Sequence, residues 1–140
     1  MTGTGIYTKG YLGHCYLTLG QYDKAAEASK TSKNYYYYAH CIAKVTDDPV
    51  LQYNAYKDAL LKKKLAVSQA NNIFNKLAEL DLEDSDITKK ALLKTYRSIR
   101  KKYKTITKVD GKNVFVYDEI QAQLDTLMAD LKTEIAEDAK

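Results

Sequence analysis

The chain has 140 residues, 29% of them charged and 45% hydrophobic, with a formal net charge of +4. That is the size of one domain, long enough to bury a core without cross-links or metal. Two cysteines make no disulfide framework, and no window holds the roughly 18 apolar residues that a membrane span needs.

Residues 1–20 hold a single Lys and no continuous apolar stretch, so they are not a secretory signal. The chain therefore reads as cytoplasmic if it is complete, although so abrupt a start would also suit a domain cut from a longer protein. Residues 6–19 read as a helix closed by Gly20 as a left-handed cap. Asp23 to Ser32 reads as a second helix, with Ala25, Ala26 and Ala28 as a small face that packs closely, and the two form a helical hairpin. A third helix over 34–45 ends at Thr46-Asp47-Asp48-Pro49, where Asp48 suits an N-cap and Pro49 the first helical position. From Pro49 to Leu80, Tyr53, Tyr56, Leu60, Val67, Ala70, Phe74 and Leu77 keep a three-four spacing that Lys63 interrupts. This is one long helix, or two broken near Lys62-Lys63-Lys64.

Asp81 to Asp86 forms a boundary, followed by a helix from Ile87 to about Lys104 capped by Ser85 or Asp86. Around Asp110-Gly111 the β-branched flanks at 105–109 and 112–117 predict a small β-hairpin, because Asp-Gly accepts the positive backbone angles of a tight turn. The last helix spans Asp118 to Glu137, with Ile120, Leu124, Leu127, Leu131 and Ile135 along one side. Little Pro or Gly interrupts the pattern, so the fold class is mainly α.

One phrase occurs twice. Leu12-Gly13-His14-Cys15-Tyr16-Leu17 recurs twenty-six residues later as Tyr38-Ala39-His40-Cys41-Ile42-Ala43. Self-similarity at such a period marks stacked helical units that cannot bury their apolar faces alone. Leu12-Gly13-x2-Tyr16, followed by Gly20-Gln21-Tyr22-Asp23-Lys24-Ala25, resembles a tetratricopeptide repeat over residues 5–30, with Lys9 in place of the motif's Trp and Ser29 in place of its Phe. Tyr35-x2-Tyr38-Ala39-x2-Ile42 and Ala70-x3-Phe74-x2-Leu77 carry fainter traces through residues 32–84, at a period shorter than the usual 34 residues. Residues 85–140 carry none. The resemblance implies repeats over 1–84 and a helical extension over 85–140 packed on the same domain.

It also implies a function. In that family the first helix of each repeat lines a groove that holds peptides, and the matching positions are Tyr7, Tyr11, His14 and Thr18, then Tyr36, Tyr37, His40 and Lys44. Helical spacing supports a shared face in each set, since His14 follows Tyr11 by three residues and Tyr7 by seven, and His40 follows Tyr37 and Tyr36 by three and four. Tyr35 and Tyr38 fall where packing between helices is expected. The carboxylate clamp of some family members is not encoded, because Gly10, His14, Tyr36 and His40 stand at its positions.

The two His-Cys pairs suggest zinc, yet adjacent helical residues diverge by about 100° and do not converge on one ion. Cys15 and Cys41 therefore read as small buried hydrophobes, and neither metal nor cofactor is expected. No acid/base dyad, phosphate loop or oriented Cys-His pair suggests an enzyme, and no catalytic residue is assigned.

The second constellation is electrostatic. Lys90, Lys94, Arg97, Lys101 and Lys104 fall within about 80° of one helix face, with Leu92, Tyr96, Ile99 and Tyr103 opposite. Residues 86–108 hold nine basic side chains against one acidic, and residues 118–140 seven acidic against two basic. Either the stripe meets a nucleic-acid backbone or an anionic membrane surface, or the acidic last helix lies beside it and neutralises it. The function expected is a non-enzymatic adaptor or scaffold binding a protein or peptide partner on the Tyr/His face. The alternative is nucleic-acid binding by helix 90–104.

Overall fold

The computed structural model describes residues 21–31, 33–104, 110–111 and 117–139. The helix expected over 6–19, Gly20 and the strands expected beside Asp110-Gly111 lie outside them. Among the described residues there are six helices and no strand: α1 (Tyr22–Thr31), α2 (Tyr35–Val45), α3 (Pro49–Lys62), α4 (Val67–Ala78), α5 (Lys89–Lys102) and α6 (Asp118–Asp138). The protein is mainly helical. The chain divides into two compact units, Met1–Lys63 and Lys64–Lys140, so the boundary drawn at 84/85 falls inside the second.

In the first unit α1 packs on α2, and α2 on α3. The connection between α1 and α2 takes a tight form. The Lys33 N–H donates to the Lys30 carbonyl at 3.1 Å and the Asn34 N–H to the Ser29 carbonyl at 2.8 Å, while Lys33 holds φ at 62°. This is a Schellman closure, which normally takes glycine at the left-handed position. Asn34 then opens α2, its Oδ1 accepting from the Tyr37 N–H at 3.3 Å. The small side chains of Ala25 and Ala26 meet Cys41 in a buried cluster, against which Tyr38 and Ile42 pack. Ala28, expected on the same small face, is half-buried, and Ser29 is buried instead.

Asp48 and Pro49 begin α3 as their residue types dictate. Asp48 Oδ1 accepts from the Val50 N–H at 2.9 Å, and Pro49 fills the first turn, where its missing donor costs nothing. Tyr53, Ala55, Tyr56, Ala59 and Leu60 bury its inner side. The helix stops at Lys63, whose backbone is extended, so the open choice over 49–80 resolves into two helices.

In the second unit α5 and α6 form an antiparallel pair and α4 packs against α6. The start of α5 differs from expectation. Thr88 is the cap, its Oγ1 accepting from the Ala91 N–H at 3.0 Å, because Ser85 Oγ is already engaged with the Ile87 N–H at 3.2 Å. The core combines Ile73, Phe74 and Leu77 of α4, Leu93, Tyr96 and Ile99 of α5, and Ile120, Leu124, Met128 and Leu131 of α6. Leu127 and Ile135 are half-buried, and Met128 takes the position expected of Leu127. Phe74 and Tyr96 meet edge to face, with ring centroids 6.0 Å apart.

Two tyrosines anchor the segment that leads into α4. The Leu65 N–H donates to Tyr103 Oη at 3.0 Å, and Tyr117 Oη donates to the Leu65 carbonyl at 2.9 Å. Their rings pack edge to face at 5.1 Å. Gln121 Nε2 donates to the Tyr103 carbonyl at 2.7 Å and to the Arg100 carbonyl at 3.3 Å, satisfying the end of α5. Between α5 and α6, Asp110 and Gly111 hold φ at 53° and 79°, the positive pair expected of a tight turn there.

Candidate functional site

On α2 the described half of the Tyr/His set is ordered along one side. At about 100° per residue, Tyr36, His40, Lys44 and Tyr37 occupy roughly 100° of the helix, opposite the sector of Tyr38 and Ile42. Tyr36, Tyr37 and His40 are half-buried and Lys44 is exposed. The Tyr36 ring meets the His40 ring edge to face at 4.6 Å and the Tyr37 ring at 5.9 Å. Tyr38 instead lies against the Ala25–Ala26–Cys41 cluster, with Lys30 Nζ 5.8 Å above its ring. Tyr7, Tyr11, His14 and Thr18 lie outside the described residues.

The repeated His-Cys pair is half visible. Cys41 is fully buried, and burial pushes its thiol above its ordinary pKa, as suits a packed hydrophobe rather than a nucleophile. His40 points to the other side of α2, next to Tyr36. Among the described residues no three His, Cys, Asp or Glu side chains gather as a metal site would require. His14 and Cys15 are outside them.

The basic residues of the expected stripe are all exposed: Lys90, Lys94, Arg97 and Lys101 on α5, and Lys104 beyond its end, because the helix expected to reach Lys104 stops at Lys102. The acidic last helix does lie beside α5, but its carboxylates engage other cations. Lys89 Nζ lies 2.9 Å from Asp138 and 3.6 Å from Glu134, and Arg100 pairs with Asp125. Hydrogen bonding to Asp138, then the two carboxylate charges, hold the Lys89 ammonium above its ordinary range. The expected neutralisation of the stripe is therefore replaced by pairing along its edge. Leu92, expected opposite the stripe, is half-buried, while Leu93 is buried against the core. The physical reason is that Lys89, Leu93, Tyr96 and Arg100 share the sector nearest α6, about 60–120° from the stripe.

One concavity was not anticipated. Leu82, Ile87, Leu92, Leu131 and Ile135 line a groove of about 720 Å³ where α6 ends beside α5, with Lys89 at its rim. Its walls come from residues some fifty positions apart, a juxtaposition that no local pattern announces. The Tyr103–Leu65–Tyr117 clamp was hidden for the same reason.

Comparison with protein-family models, curated proteins and solved structures finds no match for the chain. No helix among the described residues is long and apolar enough to cross a membrane.

Proposed function

We propose that the chain is a non-enzymatic interaction module, an adaptor or scaffold, that docks a segment of a partner protein on the Tyr36–Tyr37–His40–Lys44 side of α2. The observation that carries this reading is the segregation of α2 into two sides. One packs on Ala25 and Ala26 through Tyr38 and Ile42, and the other carries aromatic rings, an imidazole and an exposed ammonium. Tyrosine and histidine suit such a surface, since each offers a flat apolar body with a hydrogen-bonding edge and few rotors to immobilise. A tetratricopeptide-like arrangement of the N-terminal helices belongs to the same reading. It is supported by short loops joining α1, α2 and α3 and by packing of each helix on the next. Tyr7, Tyr11, His14 and Thr18 would then supply the neighbouring share of the surface.

A photo-crosslinking residue at Lys44 should capture a discrete partner from native lysate, and the same residue at Glu27, exposed on α1 away from Lys44, should not. Tyr36→Ala with Tyr37→Ala should abolish capture while the far-ultraviolet circular dichroism stays unchanged. If that variant unfolds, the two rings are core and the reading fails.

A further inference from the structure

The packing of the second unit leaves four cations on one line along α5, with a fifth just past its end. Lys90, Lys94, Arg97, Lys101 and Lys104 are exposed, and among the described residues none of them is in an ion pair, because the carboxylates of α6 are directed to Lys89 and Arg100. At a rise of 1.5 Å per residue the four on α5 span about 16 Å, roughly one charge every 5 Å. Like charges held side by side repel one another unless an anion lies across them.

The layout of the charges selects the anion. A single phosphate or carboxylate is held by cations that converge, whereas these follow a straight course that only a linear polyanion could share. A lipid surface is a poor fit, because an interfacial helix inserts apolar side chains beside its cations. Here Leu93, Tyr96, Ile99 and Tyr103 are buried, and the large hydrophobic residues exposed among the described ones, Val45 and Leu51, belong to the other unit. Single strands are gripped by stacking on open aromatic rings. Tyr96 of α5 and Tyr103 just after it are both buried in the core. A duplex needs neither insertion nor stacking. The major groove of B-form DNA, about 12 Å wide, admits an α-helix, while the deep, narrow groove of A-form RNA does not.

We infer that the exposed face of α5 binds the phosphate backbone of double-stranded DNA without reading its sequence. Lys90, Lys94, Arg97 and Lys101 supply the contacts, with Lys104 beside the end of the helix. Contacts from Lys and Arg to phosphate oxygens carry no sequence information, so the interaction is one of charge and position. It rests on a different unit from the α2 surface and stands or falls separately from it.

The test is fluorescence anisotropy of a labelled DNA duplex with the full chain across a salt series. The expected log-log slope is negative and no steeper than about −4.5, the value for five phosphates neutralised. Lys94→Glu with Arg97→Glu and Lys101→Glu should weaken binding at low salt by about tenfold or more and cut the slope to less than half. The corresponding triple Gln variant should shift both in the same direction, and it decides the matter if the Glu variant does not fold by circular dichroism. Lys24→Glu with Lys33→Glu and Lys62→Glu makes the same change in net charge on the first unit and should keep most of the affinity. The inference is overturned if the duplex is not bound at low salt, or if that control loses as much as the α5 variant. Tighter binding of single-stranded DNA, double-stranded RNA or phosphatidylserine vesicles than of the DNA duplex would also overturn it.

Discussion

Tyr103 and Tyr117 divide between them the two backbone groups of Leu65, one accepting from its N–H and the other donating to its carbonyl. Both rings are almost fully buried, so neither backbone group has water to turn to when a hydroxyl is removed. Tyr117→Phe should therefore cost about 1–3 kcal/mol in urea unfolding, the penalty of a buried carbonyl left unmet. Burial, opposed only in part by the Leu65 hydrogen bond, pushes the Tyr103 hydroxyl up from 10 to about 12, and burial raises that of Tyr117 too. The fold thus holds these protons more tightly than the open chain does. Its stability should be level below pH 10, where both states are protonated. It should fall as pH rises from 10 to about 12, where the open chain ionises first. Tyr103→Phe should be weaker at neutral pH yet flatter between pH 10 and 12, as chemical denaturation at each pH would reveal.

The helices were legible wherever local chemistry decides. Asp48 and Pro49 marked the start of α3 because capping and a missing donor act within one turn. Ser85 or Asp86 was the expected cap of α5 and Thr88 is the actual one, because all three are cap-forming types and only the turn bond to Ile87 removes Ser85 from competition. The break after Lys62 also stayed open, since the tyrosines that hold the chain just beyond it lie 38 and 52 positions away from Leu65. Two helix termini supply checks. Lys33 sits at φ 62° where glycine would carry no strain, so Lys33→Gly should stabilise the first unit by about 0.5–1 kcal/mol in its urea midpoint. Asp48→Ala should cost about 1 kcal/mol through the lost cap. The basic stripe was visible from helical period alone, but which cations α6 engages depends on the side from which it approaches. Reversing Lys94, Arg97 and Lys101 should consequently disturb stability little. Arg100→Glu should lower it, by no more than about 1 kcal/mol because the pair with Asp125 is exposed.

At the scale of the molecule the two units have separate cores. Leu65, Phe74, Ile99, Tyr103, Tyr117 and Leu124 are all buried within residues 64–140. A fragment 64–140 should therefore give helical circular dichroism and a cooperative melt, and a featureless, sloping melt would contradict this. Fold class was readable because helix-forming segments repeat with few breakers. The division at Lys63 was not, because the repeat traces run across it to Leu77. Burial of Cys41 between α1 and α2 has a practical consequence. A thiol reagent can reach that sulfur only when the two helices part. In a Cys15→Ser background, the labelling rate becomes a clock for opening of the first unit. The part of the alkaline absorbance change that is lost when Tyr103 and Tyr117 are both replaced by Phe offers a matching signal for the second. In a chain without tryptophan, each half thus carries its own reporter among its native side chains, and the order in which the halves open can be timed from the two.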